Sequence, residues 1–276
     1  MQPEPSPPPT SIDAHHDGTV DKMLVLIVEN HSLSEMQREM SSVAGLGDQF
    51  GYANNYRALT HPSLPNYLAI VGGDTYGVSD DDPPGAHPIS APSVFGAAIR
   101  NGRTAKVYAD AMSSPCQQDN DGTYAVKHNT WAYFVNERDL CDQYDVPLTA
   151  LAADIDKGKL PTVGMVIPDL CNDAHNCPLA QADKWLAGVL DPVLQGPDWA
   201  SGRLVVVVTA DEDDRTQDNQ ILTVVANPGL AHVVATAPLT HYSLARSLAD
   251  IAGVTPLRNA TTAPSLLKSF GLTAAR

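Results

Sequence analysis

Three short stretches of this chain carry side chains that could cooperate in one reaction. Thr60-His61-Pro62-Ser63-Leu64-Pro65-Asn66-Tyr67 puts a hydroxyl where a helix is predicted to begin. Glu29-Asn30-His31, and far downstream Asp211-Glu212-Asp213-Asp214, put acids directly after apolar, strand-like runs. A hydroxyl at a helix start, facing carboxylates at strand ends, suits a cation-assisted attack on phosphorus. The cation ionises the hydroxyl, and the free N–H groups of the helix terminus receive phosphoryl oxygens.

Serine attacks poorly at neutral pH unless a base or a metal activates it. No Gly-x-Ser-x-Gly elbow surrounds Ser63, which argues against acyl transfer. Taken alone, Ser63 is an ordinary helix cap; the acids lift it above that. Glu29 and Asn30, with Asp211 and Glu212, offer oxygen donors suited to one hard divalent cation, Mg²⁺, Ca²⁺ or Mn²⁺, with Zn²⁺ also compatible. Each pair alone is simply a solvated strand end. Asp213 and Asp214 extend the run as surface or supporting residues. On the loop Cys171–Cys177, Asp173 and His175 are candidates for holding phosphate oxygens or protonating a leaving group, unless the loop's polar groups only satisfy its own backbone. His128 with Asn129, and His241 at a helix start, are weaker candidates for the same pocket. His61, two residues before Ser63, is placed to shape it.

The elements that must carry these residues are readable. Met23–Val28, Val163–Ile167 and Leu204–Thr209 are short continuous apolar runs, as in strands buried on both faces. Lys106–Ala109 and Ile221–Ala226 are further strands. Leu64, Tyr67, Leu68 and Val71 have helical spacing, with Ser63 as N-cap and Gly72-Gly73 as the stop. Helices are expected over Ser93–Asn101, over Ala180–Leu194 and over His241–Ile251, the last capped by Thr240 and closed by Gly253. Asp74–Pro92, rich in Asp, Pro and Gly, is a surface loop. Strands alternating with helices imply an α/β three-layer sandwich around a mostly parallel sheet, whose ligands bind beyond the carboxyl ends of the strands.

The 276 residues suit a single domain over residues 22–276 behind a disordered tail, residues 1–21. Seventeen Lys and Arg against 32 Asp and Glu leave a formal charge of −15, which argues against nucleic acid and anionic membrane surfaces as partners. A small-molecule phosphate ester fits, provided a cation supplies local positive potential. No apolar run is long enough to span a membrane. The even set Cys116, Cys141, Cys171 and Cys177 lacks paired C-x-x-C modules. A Cys171–Cys177 disulfide would pin a short loop, leaving Cys116–Cys141 to close a longer one; the alternative is four reduced thiols in a cytosolic protein. Gln2–Pro9 looks like the start of a mature chain after signal removal, so export to the periplasm, cell surface or medium is expected. The oligomeric state is not encoded in any pattern found.

Together these motifs resemble the bacterial and fungal phosphoesterase family of acid phosphatases and phospholipases C, within the alkaline phosphatase superfamily. The matching segments are Val28–His31, His61–Tyr67, Lys127–Asn129, Pro168–His175, Ala182–Leu186, Asp211–Asp214 and His241–Ser243, in the family's order. The resemblance implies an alkaline-phosphatase-like fold and a nucleophile at Ser63 that also touches the metal. It implies metal-side residues Glu29, Asn30, Asp211 and Glu212, and a phosphate pocket lined by His128, Asn129, Asp173, His175 and His241. Thr130 stands where the family often has proline. Glu212 sits where a histidine would serve a two-zinc site, which favours one metal. The implied activity is phosphomonoester hydrolysis through a phosphoserine, with His175 or His128 protonating the leaving group. A phospholipase-C-type phosphodiesterase, or an exported non-catalytic binder of phosphate or metal, are the alternatives. Low aromatic content, 6%, and the acidic Asp80–Asp82 near the expected rim favour small soluble esters over lipids.

Overall fold

A strand covered on both faces has no polar side to show, and the two longest apolar runs behave that way: Met23–Val28 and Leu204–Ala210 are buried residue after residue. The computed structural model describes residues 18–275. Its main sheet has eight strands: β1 (Lys22–Val28), β2 (Gly51–Ala53), β3 (Ala105–Ala109), β4 (Asp145–Pro147), β5 (Val163–Ile167), β6 (Leu204–Ala210), β7 (Thr223–Ala226) and β8 (Val233–Ala235). Their order is β8-β2-β7-β6-β1-β5-β3-β4, and β7 alone runs against its neighbours. The longest strands sit at the centre, so β1 and β6 carry their carboxyl ends to the middle of one edge of the sandwich.

Among the helices that flank the sheet are α1 (Leu33–Glu39), α2 (Ser41–Gln49), α3 (Ser63–Gly72), α4 (Val94–Arg100), α5 (Leu179–Gln195) and α6 (His241–Ala252). α3 and α4 pack on α6; α1, α2 and α5 form a second group, giving the three layers expected from the sequence. Helix ends follow local chemistry. Ser93 caps α4 by accepting from the Gly96 amide. In α6 the Thr240 amide donates to Ser243 Oγ at 3.1 Å, and Gly253 closes it at φ 67°. Gly73 ends α3 at φ 70°, where a Cβ would lie 2.2 Å from the Leu257 carbonyl, so glycine is required twice over.

Two expectations are corrected here. The cap residue of α3 is Pro62; Ser63 is the first helical residue and makes no capping bond, because its hydroxyl is turned into the site. The helix expected at Leu64–Val71 forms, and it is buried on every side, wedged under α6. Residues 18–21 of the expected tail are ordered: Thr19–Val20 pairs in parallel with Thr273–Ala274, while residues 1–17 lie outside the described residues. Helices α1 and α2 were not foreseen, since Leu33–Gln49 buries only a few scattered side chains. Both disulfides form, Cys116–Cys141 and Cys171–Cys177. By loop-closure entropy they contribute about 3 and about 2 kcal/mol respectively.

Candidate active site

The register of the sheet assembles the site. Val28 pairs with Ala210, so the next residues, Glu29 and Asp211, emerge side by side, and the Asp211 amide donates to the Val28 carbonyl at 3.0 Å. The Glu29 amide donates to the Asp173 carbonyl at 2.8 Å, which ties in the disulfide-closed loop that follows β5. Asn30 turns the chain away at φ 58°, a conformation asparagine tolerates, and its amide donates to Asp211 Oδ1 at 3.0 Å.

Ser63 Oγ, in the first turn of α3, donates to Glu29 Oε2 at 2.8 Å. The other oxygen, Oε1, accepts from the Tyr67 hydroxyl at 2.8 Å and lies 3.2 Å from His128 Nε2. His128 Nδ1 lies 3.1 Å from Asp173 Oδ2, and the ring stacks on Tyr67 with centroids 5.1 Å apart. Burial pushes the His128 imidazole down, but Glu29 and Asp173 prevail and raise it to about 9. Burial likewise pushes Glu29 up, yet the His128 charge and hydrogen bond, with Lys127 and Tyr67, bring it to about 2. The result is an ionised carboxylate braced by a buried imidazolium, with one oxygen left for Ser63. Lys127 Nζ sits 3.4 Å from Ser63 Oγ, 2.9 Å from Asp81 Oδ2 and 3.4 Å from His175 Nε2.

On the other side of Glu29 the charge balance reverses. Asp211 is raised well above the carboxylate range by burial, then by Glu29 and Glu212, and its Oδ2 is buried without a hydrogen-bond partner. Glu212 is raised to about 7 by burial, although His61 opposes the shift. Buried carboxylates repelling one another around an orphaned oxygen are the donor set a hard cation requires. Among the described residues these acids do not bring three ligand atoms within 4.8 Å of one another; beside them the Asn30 side-chain amide donates to Glu29 Oε2 at 3.2 Å.

Several residues sit differently from expectation. His128 is buried with both ring nitrogens turned to carboxylates, so of the two imidazoles only the exposed His175 can reach a leaving group. Asp173 faces His128 and its own loop, accepting from the His175 amide at 2.7 Å. His241 is buried between the Tyr56 hydroxyl at 3.2 Å and the Asp211 carbonyl at 2.6 Å, which makes it a prop for Asp211 and not a lining residue. Asn129 points away altogether: its Nδ2 donates to both oxygens of Asp145 at 2.9 Å and to the Tyr124 hydroxyl at 3.1 Å. Of the two places open to Asp213, surface or support, it takes the second: it is buried and accepts from the Arg215 and Gln217 amides.

Asn66 and Tyr67, neither of them singled out in the sequence, contribute as well, and His61 stands with them. His61 bridges Glu212 at 3.0 Å and Asp213 at 3.2 Å, and Asn66 donates to Glu212 at 3.1 Å while holding the Leu59–Pro62 turn. In the sequence Tyr67 belongs to an apolar stripe. The signal available was the density of polar residues in one helix turn, where a core helix would carry none.

Asp145 gives a pH-dependent prediction away from Ser63. Burial raises it from 3.8 to about 8, against the pull of the Asn129 bonds. Below pH 4 the folded and unfolded chains both hold this proton. Between pH 4 and 8 only the folded chain does, so unfolding releases a proton and stability falls as pH rises through that window. Asp145→Asn removes the term. Thermal melts at pH 4.5 and 7.5 should show a smaller loss for the variant than for the wild type; parallel losses would assign the dependence elsewhere.

The fold is an alkaline-phosphatase-like α/β sandwich, and its relatives place it among hydrolases of phosphoric ester bonds. Residues 18–230 match the family described as the Phosphoesterase family, and the chain belongs to it. It is 32% identical over 219 residues to a phosphatidylinositol-3-phosphatase of Mycobacterium tuberculosis, covering 78% of this chain and 70% of that protein. It is 28% identical over 207 residues to a probable acid phosphatase of Kluyveromyces lactis, and 27% identical over 230 residues to a phosphate-repressible acid phosphatase of Penicillium chrysogenum. These matches cover 70% and 78% of this chain, which spans about half of either fungal relative, 48% and 55%. Among solved structures, a protein of the alkaline phosphatase superfamily from Vibrio parahaemolyticus superposes with TM-score 0.61 at 11% identity, over 89% of this chain and 70% of its own. A lipoteichoic acid synthase from Listeria monocytogenes does so with 0.57 at 12%, over 91% and 75%. At such identities the likeness is one of fold.

Proposed function

We propose that this chain hydrolyses phosphate monoesters through a phosphoserine at Ser63, using one divalent cation held by Glu29, Asn30, Ser63, Asp211 and Glu212. The observation that carries the reading is the pairing of Ser63 Oγ with Glu29 Oε2, at a helix start with Lys127 3.4 Å away. When bound, the cation would favour the ionised hydroxyl and offset charge on a phosphoryl oxygen. The chain's own groups do the rest. Glu29 fixes the Ser63 rotamer for in-line attack, and Lys127 with the α3 amides receives the non-bridging oxygens. His175, exposed beside Lys127, protonates the departing alkoxide and then deprotonates the water that cleaves the phosphoserine. His128, Asp173 and Tyr67 hold Glu29; His61, Asn66 and His241 hold the acids of the β6 end.

Two disulfides, together with fungal relatives named acid phosphatases, support a site of action outside the cytoplasm. No described helix is long and apolar enough to cross a membrane. Among the described residues the exposed large hydrophobic side chain is Val234, on edge strand β8, and none lies at Ser63. That favours soluble monoesters, or phosphorylated headgroups projecting from a surface, over a phospholipase-C-type diester.

Chelation followed by metal-by-metal restoration tests the cation, with p-nitrophenyl phosphate, its bis-ester and phosphatidylinositol 3-phosphate as the panel. Activity should vanish on stripping, return with one divalent ion, and favour the monoesters. An unchanged rate after stripping removes the cation. A faster bis-ester replaces monoesterase by diesterase, and no turnover of any ester leaves a binding protein.

A further inference from the structure

The donors nearest Ser63 are already in use. Leu64, the residue after the nucleophile, gives its backbone N–H to Asp81 Oδ1 at 3.0 Å, and Lys127 Nζ contacts Asp81 Oδ2 at 2.9 Å. The same Nζ stands 3.4 Å from Ser63 Oγ. Two anionic oxygens of one carboxylate thus span a helix-terminal amide and a half-buried ammonium beside the nucleophile. That is the arrangement two non-bridging oxygens of a phosphoryl group on Ser63 would need.

We infer that Asp81 is an internal occupant of the phosphate site, which substrate must displace and which returns to help expel inorganic phosphate. The inference rests on the monoesterase reading and adds a determinant of its affinity. Displacement needs only the side chain to move. The backbone on either side is anchored: Tyr133 donates its hydroxyl to the Asp82 carbonyl at 3.0 Å, the Asp82 amide donates to Asp80 Oδ1 at 3.0 Å, and Asp80 pairs with His87. The Asp81 side chain is 30% exposed, so rotation about its first bond takes the carboxylate into water. Between turnovers it keeps Lys127 paired, and a half-buried ammonium is costly to leave alone. It also satisfies an N-terminal amide of α3 that Ser63 does not cap. The consequence is a weaker hold on every phosphate-like anion, product included.

Metal-loaded wild type, Asp81→Asn and Asp81→Ser are compared by KM and kcat for p-nitrophenyl phosphate and by calorimetric titration with inorganic phosphate. Both variants retain an acceptor for the Leu64 amide and lose the charge. KM and the phosphate dissociation constant should fall together by about tenfold, equivalent to about 1.4 kcal/mol. A purely structural cap would lower the melting temperature and leave both constants in place, which overturns the inference. So does a fall in kcat with weaker phosphate binding, since that makes Asp81 a positioning residue for Lys127. Failure of the monoesterase reading is distinct: it appears as no turnover by the wild type, whereas failure here appears as unchanged or weaker phosphate binding by an active enzyme.

Discussion

Ser63→Ala lowers kcat on p-nitrophenyl phosphate by about 10⁴-fold or more, while the protein melts within several degrees of the wild type. The size of the loss follows from geometry. Ser63 Oγ is the hydroxyl bonded to Glu29 Oε2, it lies within reach of Lys127, and it projects from the amino end of a helix that is buried on every side. The other hydroxyl bonded to Glu29 is not placed to inherit the attack: Tyr67 is committed to Oε1, and burial above all, with the nearby carboxylates, pushes its phenol well above its usual range. The fold should tolerate the change. Ser63 caps nothing, alanine is a good helix former, and Glu29 keeps Tyr67, His128 and Asn30 as partners. One lost hydrogen bond to a carboxylate costs about 1.5–3 kcal/mol. Acid quenching should trap phosphoserine from the wild type and none from the variant. More than a tenth of wild-type activity in Ser63→Ala would move the nucleophile elsewhere.

Asp211→Asn should change stability and activity in opposite directions. Its carboxylate is buried beside Glu29 and Glu212, with Oδ1 accepting from the Asn30 amide and Oδ2 lacking a partner. Asparagine retains the Oδ1 acceptor, removes the cost of keeping a buried carboxyl protonated and can donate toward Glu29. The metal-free variant should therefore gain about 1–2 kcal/mol over metal-free wild type in denaturant melts. The same substitution removes an anionic ligand, so divalent affinity and kcat/KM should each fall by roughly a hundredfold or more. This is the trade expected where a site keeps buried charge for function. A metal-free variant less stable than its parent, or one that binds the cation as tightly, would show that Asp211 serves the fold and not an ion.

Much of this site could be read locally. Glu29 and Asp211 announce themselves because a strand buried on both faces is a continuous apolar run, and its first acid marks the carboxyl end. Ser63 was visible for a similar reason, at the start of an apolar 3.6-residue repeat. His128, Asn129 and His241 show where such reading stops. All three have suitable chemistry, and all three belong to the expected segments. Yet Asn129 faces Asp145, His241 props the Asp211 carbonyl, and His128 is buried between Glu29 and Asp173. A neighbouring residue on an irregular segment points wherever the backbone turns, and no periodicity reports that turn. Asp81 and Lys127 lie 46 positions apart and meet only because the 74–92 loop folds over the α3 start.

The amino-acid order by itself determined the parallel α/β sandwich, the acids at its strand ends and the hydroxyl at a helix start, because each is a short-range pattern of burial and backbone preference. Tertiary structure decided which polar groups face that hydroxyl, which brace the acids from behind, and that a carboxylate from a distant loop occupies its neighbouring donors. Those outcomes depend on side-chain direction and on long-range charge balance, and both are set only when the layers close.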